Sequence, residues 1–286
     1  MSNEKRELVL GIKTFFVVPD LSLFPEEFLN SFFLKGYETY FIHDDPYCPL
    51  ESKIHTILSL FPRVILFFNI DRPVQGIEWP AFIENLQNTY GERAMIGVIY
   101  QKRITQEEIR KREWLYLYKI GIICGCISMD FQKSKNLYRF MNVLCANQAK
   151  GQRRFLRAMC GDSYKANFVY RGREYRCILR DISISHFSCI FPGDRTEFPM
   201  HEKIYEIQMN LKGILIKTDA VLCLKRVLAN DTIHVFVFRT SEDREGLNPD
   251  HLLKVNGIIH RSLTQKIMGM LKDAFLEKGK QTRLQQ

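Results

Sequence analysis

RVILFFNI, residues 63–70, is the stretch on which the fold turns. From Val64 to Phe68 it is apolar without interruption, and a strand with one wet face would alternate instead. It therefore predicts a strand buried on both sides, as in a parallel sheet covered by helices. Runs of the same kind stand on either side of it: TFFVV (14–18), ETYFIH (38–43), AMIGVIY (94–100) and GIICGCI (121–127). Between them lie helix-like segments, PEEFLNSFFLKG, SKIHTILSLF, PAFIENLQNTYG and TQEEIRKREWLYLYKIG, several of which close on glycine. This alternation predicts a doubly wound α/β sheet, with a last helix near 132–150.

Past Gly151 the pattern changes. KANFVY, EYRCILR, DISISHFSCIF, KIYEIQMN, ILIKTDAVLCLKRV and TIHVFVFR read as short strands. Turn chemistry separates them: Arg-Gly-Arg at 171–173, Pro-Gly-Asp at 192–194, Lys-Gly at 212–213 and Asn-Asp at 230–231. Closely spaced strands of this kind predict a small antiparallel β-barrel. Asn248-Pro249 then opens an amphipathic helix whose stripe is Leu252, Ile259, Leu263, Ile267, Met270 and Leu271, ending near Phe275. The basic tail KGKQTRLQQ is expected to fray. Two domains follow, 1–149 and 150–286.

Charge is divided as unevenly as the pattern. The chain carries +9, but residues 1–150 hold 18 basic against 17 acidic side chains, and residues 151–286 hold 23 against 15. An anionic partner is thus to be sought in the second half. No apolar run approaches the roughly 18–20 residues of a membrane span, and MSNEKRELVL has no secretory pattern, so a cytoplasmic location is expected. The eight cysteines show no C-x-x-C pair, and Cys124 and Cys126 read as reduced thiols on one strand face rather than a metal or redox pair. The seven histidines show no metal spacing, and no G-x-S-x-G elbow appears. His234 shares a strand face with Phe236 and Phe238, which suits a structural imidazole. Nothing here points to an enzyme or to a bound cofactor.

Two polar stretches remain. In GQRRFLRAMC (151–160), Arg153 and Arg157 are four apart, with Arg154 between them, just before the barrel. On a helical turn they would stack; in a loose linker they could wrap an anion, since guanidinium forks pair with phosphate oxygens or the O6/N7 edge of guanine. In LRDISISHF (179–187), Ile182 and Ile184 alternate with Asp181, Ser183 and Ser185. Asp181 and Ser183 are expected to project from one face, with a bulge between Arg180 and Asp181 where the alternation slips. A carboxylate there matches the N1–H and N2–H₂ edge of guanine.

R153-R-F-L-R157 before a small barrel, followed by D181-I-S183-I-S-H186 on an early strand, resembles the PilZ domain. The resemblance spans roughly 150–280 and implies a bacterial receptor for cyclic di-GMP. It implies that Arg153 and Arg157 hold phosphate and the guanine Hoogsteen edge, and that Asp181 and Ser183 fix the base. Arg154 and Arg180 are helpers without a motif position. His186 departs from the pattern, standing where the family has glycine; if positive φ or close approach is needed there, histidine obstructs it. The first half is similar to receiver domains, with Asp20 and Asp71 near the ends of the first and third strands. Pro19 replaces the usual acidic neighbour, Tyr100-Gln101 replace a hydroxyl residue after the fourth strand, and Lys133 comes late. That half is expected to dock an unidentified protein partner rather than accept phosphate. The whole reads as a second-messenger effector in which ligand at the linker changes the domain arrangement. The alternatives are a basic nucleic-acid binder, with Phe168, Tyr170 and Tyr175 as stacking surfaces, and a PilZ-like module that has lost its ligand.

Overall fold

The computed structural model describes residues 9–101, 105–193, 198–228 and 231–284; Asp194 and Asn230, from two of the expected turns, lie outside them. Two compact units result: residues 1–154 with 266–286, and residues 155–265.

The first unit is a parallel sheet with helices on both faces. Its elements run β1 (Lys13–Val17), α1 (Glu27–Leu34), β2 (Thr39–Ile42), α2 (Leu50–Leu60), β3 (Val64–Asn69), α3 (Trp79–Tyr90), β4 (Ala94–Gln101), α4 (Gln106–Glu113), β5 (Cys126–Met129) and α5 (Lys133–Ala146). The strand order is β2-β1-β3-β4-β5, all neighbours parallel, the flavodoxin-like arrangement. Every residue of β3 is buried, as its unbroken apolar run requires. On one face Phe16 packs against Phe67 and Phe140 at ring separations of 5.3 and 5.1 Å; on the other Phe68 meets Trp79 at 5.5 Å. Tyr100 and Gln101 belong to β4 itself rather than following it. Cys124 precedes β5, separated from Cys126 by Gly125 at φ +74°, so the two thiols do not share a strand face as expected. All eight cysteines are free. The helix foreseen over 105–121 divides, α4 continuing as a π-helix from Trp114 to Ile120 that stops at Gly121, φ +79°.

The second unit is a closed antiparallel barrel. Its strands are β6 (Ala158–Met159), β7 (Tyr164–Tyr170), β8 (Arg173–Ile182), β9 (His186–Ile190), β10 (Lys203–Leu211), β11 (Ile214–Leu228) and β12 (Asp231–Arg239). The order β8-β7-β10-β11-β12-β9 closes when β9 pairs with β8, and β6 adds to the free side of β8. Tyr175, Cys177, Leu179, Phe187 and Phe236 point inward and are buried. The Arg-Gly and Lys-Gly turns are two-residue hairpins with both φ positive: Arg171 +51° and Gly172 +79°, Lys212 +53° and Gly213 +87°. That is the primed geometry whose twist suits antiparallel strands. The helix α6 (Pro249–Leu284) is opened by Asn248, whose side chain accepts the His251 N–H at 2.8 Å. It runs past Phe275 to Leu284, so the expected stop there is not observed; the helix continues through most of the basic tail. Among the described residues no helix is long and apolar enough to cross a membrane.

Candidate functional site: the Arg157–Asp181 face of the barrel

The linker is irregular from Gly151 to Arg157, so its arginines do not stack on a helical turn. Both of its ends are tied down. Lys150 bridges Gly11, and Ile12 N–H donates to the Ala149 carbonyl at 2.9 Å. The backbones approach so closely that a Cβ at Gly151 would sit 2.4 Å from the Gly11 nitrogen. At the far end Ala158 and Met159 form β6 against Ile182 and Asp181, and Cys160 N–H donates to the Arg180 carbonyl at 2.8 Å. Strand pairing thus delivers Arg157 to the outer face of β8.

Asp181 reaches that face through the bulge foreseen in its sequence. Leu179 pairs with Cys189 and Asp181 with Ser188, leaving Arg180 as the extra residue. A bulge lets two successive side chains point the same way. Arg180 is accordingly exposed, Asp181 is half-buried, and Ile182 returns to the interior. Residues directly opposite in antiparallel strands share a face, so Met159, Asp181 and Ser188 form one outward row across β6, β8 and β9. The Ser188 hydroxyl donates to Asp181 Oδ2 at 2.5 Å. Asp181 Oδ1 is covered and accepts no hydrogen bond among the described residues; the Arg157 guanidinium stands 3.7 Å from it, an ion pair beyond hydrogen-bond reach. Two thiols flank the pair. Burial, and then the Asp181 charge, push the Cys160 thiol up to about 12. Burial also raises Cys223, and the nearby positive charge of Arg157 partly offsets that.

Ser183 and His186 do something other than expected. β8 ends at Ile182, and 183–185 make a tight turn into β9, so DISISHFSCIF is not one strand. Ser183 is fully buried rather than projecting beside Asp181. Its hydroxyl accepts the His186 and Ser185 N–H groups at 3.1 and 3.3 Å, while its own N–H donates to the His186 carbonyl at 2.8 Å. His186 Nδ1 lies 2.8 Å from Ser185 Oγ and 3.0 Å from Ser183 Oγ. His186 pairs with Val237 at the start of β9 and does not have positive φ, so the backbone at this turn does not call for glycine. Arg153 and Arg154 belong to the first unit and are exposed at the surface; a Cβ at Gly36 would come within 2.7 Å of the Arg154 carbonyl.

No family model matches the chain, and no curated protein does. Among solved structures it is similar to YcgR from Escherichia coli in complex with c-di-GMP, at 16% identity over 46% of this chain and 51% of that one, TM-score 0.32. It is also similar to the PilZ domain with c-di-GMP of the same YcgR (16% identity, 45% of this chain, 98% of that one, TM-score 0.30). A third is the K. pneumonia MrkH–c-di-GMP complex (15% identity, 46% and 57%, TM-score 0.33). The matched region spans about half the length of full YcgR and of MrkH.

The first unit holds a second polar cluster, at the carboxyl ends of its strands. Asp20 lies against Arg72 at 2.7 Å, the Ser22 hydroxyl at 2.7 Å and the Gln101 amide at 3.1 Å. Burial raises its pKa, but the Ser22 hydroxyl and amide and Arg72 outweigh that and leave it lowered. Asp71 accepts from Arg112 at 2.6 Å and from the Gln101 backbone at 2.5 Å. Each carboxylate already faces an arginine, and among the described residues no group of three His, Cys, Asp or Glu could hold a metal ion. In the barrel, Phe168 and Tyr175 stack on each other at 5.7 Å in the interior, which withdraws them from any outward stacking platform. His234 is the structural imidazole foreseen, its Nδ1 3.2 Å from the Thr232 carbonyl. Sequence reasoning missed Ser188. Phe187 and Cys189 both face inward, so alternation along β9 could have placed Ser188 beside Asp181.

Proposed function

We propose that this protein is a receptor for cyclic di-GMP and that Arg157 and Asp181 form the centre of its site. The reading is carried by one observation: a guanidinium and a carboxylate are held on one barrel face at 3.7 Å, with one carboxylate oxygen accepting no hydrogen bond among the described residues. The ligand offers chemistry that suits both groups. Its phosphates and guanine O6/N7 edges suit a guanidinium fork, and its guanine N1–H and N2–H₂ suit a carboxylate. Because Asp181 Oδ1 is covered, the base reaches it only as the Arg157 side chain swings outward, exchanging its pairing with Asp181 for one with the ligand. Arg153 and Arg154, on the same linker, and Arg180, beside Asp181, supply further positive charge for the phosphates. In this reading Ser183 and His186 shape the turn that presents Asp181 and do not touch the base.

The consequence assigned to binding is a change in the arrangement of the two units, since the arginines lie on one of the two segments that pass between them, α6 being the other. Only a difference in ligand affinity between arrangements can drive such a change. The first unit then conveys the state to a protein partner. Titration calorimetry with cyclic di-GMP tests the reading: the wild type gives heat, and Arg157→Ala and Asp181→Ala each lose affinity. Unchanged binding in both variants would refute it.

A further inference from the structure

A cavity of about 230 Å³ opens in the second unit between the barrel and the part of α6 that packs with it, and none of the residues assigned to the proposed site lines it. Two surfaces make it. From the barrel come Tyr164 at the start of β7 and Leu211, Lys212 and Ile214 around the β10–β11 hairpin. From α6 come Ile258, Arg261, Ser262 and Gln265. Their spacing of three, four and seven residues puts all four on one helical stripe, so the helix presents a single edge to the barrel. Leu211, Ile258 and Tyr164 are buried and give an apolar floor. The hydroxyl, the amide and two cations stand above it.

The cations distinguish this cavity from ordinary packing space. Arg171, at the tip of the β7–β8 hairpin, faces Glu202 at 3.7 Å. Lys212 occupies the same place in the β10–β11 hairpin and has no carboxylate within ion-pair distance among the described residues. Its ammonium lies 5.6 Å from the centre of the ring of Tyr164, another residue of the lining. Lys212 also takes φ +53°, a conformation that asparagine or glycine adopts with less strain. Arg261 likewise has no ion-pair partner among the described residues, and its charge reaches Tyr164. Unmatched positive charge beside a concave apolar surface suits an anion with an apolar body.

We propose that this cavity binds a compact organic anion whose carboxylate or phosphate meets Lys212 and Arg261 while its apolar part rests on Leu211, Ile214 and Ile258. The assignment stands apart from the cyclic di-GMP reading and does not depend on it.

Amide NMR titration of the full chain tests the proposal with four probes: benzoate, phenyl phosphate, neutral benzyl alcohol and inorganic phosphate. Benzoate or phenyl phosphate is expected to shift Tyr164, Lys212, Ile214, Ile258 and Arg261. The stronger of the two identifies the head group. Benzyl alcohol and inorganic phosphate, each lacking half of the recognition, should bind about tenfold more weakly or worse. Arg261→Gln and Lys212→Asn should each weaken the preferred anion about tenfold. Lys212→Asn is the control for folding, because it relaxes the hairpin and leaves the melting temperature unchanged or higher. The proposal is overturned if neither organic anion shifts these residues at concentrations on the order of 10 mM. It is equally overturned if benzyl alcohol binds as well as benzoate, if the shifts map elsewhere, or if both variants bind like the wild type. Displacement of the anion by cyclic di-GMP would overturn the assignment of a separate site, whereas failure of cyclic di-GMP to bind at all leaves it standing.

Discussion

Met159 and Asp181 face each other across the β6–β8 pairing, so the residue that ends the arginine-rich linker lies one side chain from the carboxylate. That register, and not the arginine spacing, is what places Arg157 3.7 Å from Asp181. Arg157→Ala is therefore expected to weaken cyclic di-GMP binding about tenfold or more, the loss of one charge-assisted contact of about 1.5–3 kcal/mol. Arg157→Lys should recover only part of it, because an ammonium has no planar fork. In a double-mutant cycle, Arg157→Ala and Asp181→Ala should be less than additive, since both remove parts of one ligand contact. Calorimetry measures all of these. The partial exposure of Arg157 means that thermal stability should change little in Arg157→Ala, whereas Asp181→Ala also leaves the buried Ser188 hydroxyl without its acceptor and should lower it.

Ser183 and His186 lead to an expectation opposite to that for Arg157. The Ser183 hydroxyl accepts two backbone N–H groups of its own turn, and removing it leaves part-buried donors unmatched. Ser183→Ala should cost about 1–3 kcal/mol in urea unfolding. His186→Gly should also destabilise, by loss of the Nδ1 contacts to both serines and by the added freedom of the unfolded chain. Because His186 does not have positive φ, glycine relieves no strain, and ligand affinity should not rise. A gain in affinity for His186→Gly would show that the ring obstructs the ligand.

Which parts of this were readable in the sequence follows from the range of the forces involved. The parallel sheet was legible because strands covered on both faces leave unbroken apolar runs, as Val64–Phe68 does. The bulge at Arg180 was legible because a slip in alternation is itself a local signal. β6 was not. A strand of two residues has no periodicity and exists only through its pairing with Ile182 and Asp181. Nor was the burial of Ser183, because Ile182-Ser183-Ile184 alternates the same way in a strand as in the turn that forms. The arginines that face Asp20 and Asp71 were equally hidden, since Arg72 and Arg112 meet those carboxylates only through tertiary folding.

The glycines that fix the start of the linker allow a direct test of its anchoring. A Cβ at Gly151 would lie 2.4 Å from the Gly11 nitrogen and 2.5 Å from the Val9 carbonyl oxygen. Backbone atoms cannot yield as a flexible side chain can, so Gly151→Ala should destabilise the first unit by about 1–3 kcal/mol. Gly161, where an added Cβ meets nothing within 4 Å, is the control, and Gly161→Ala should change stability by no more than about 0.5 kcal/mol. Denaturant unfolding followed by the fluorescence of Trp79 and Trp114, both in the first unit, reads the difference. Equal effects at the two positions would mean that the linker is not held against Gly11.

The barrel should carry a pH dependence of its own through His234. The ring is buried, with Phe191 edge-on at 5.0 Å and Phe198 at 5.8 Å. Burial lowers its pKa, and the Thr232 carbonyl only partly opposes the shift. The folded state thus resists a proton that the unfolded state accepts near the ordinary value of about 6.5. Above that pH both states are neutral at this position and its contribution is constant. As pH falls below it, the unfolded state binds the proton first and stability declines, until pH drops through the folded pKa. His43 and His251 are also shifted down, so the wild-type curve alone does not isolate the effect. His234→Phe keeps an aromatic ring among the phenylalanines and removes the titration. Between about pH 7 and pH 5 the melting temperature of this variant should fall less steeply than that of the wild type. Parallel curves would show that His234 takes up its proton equally in both states.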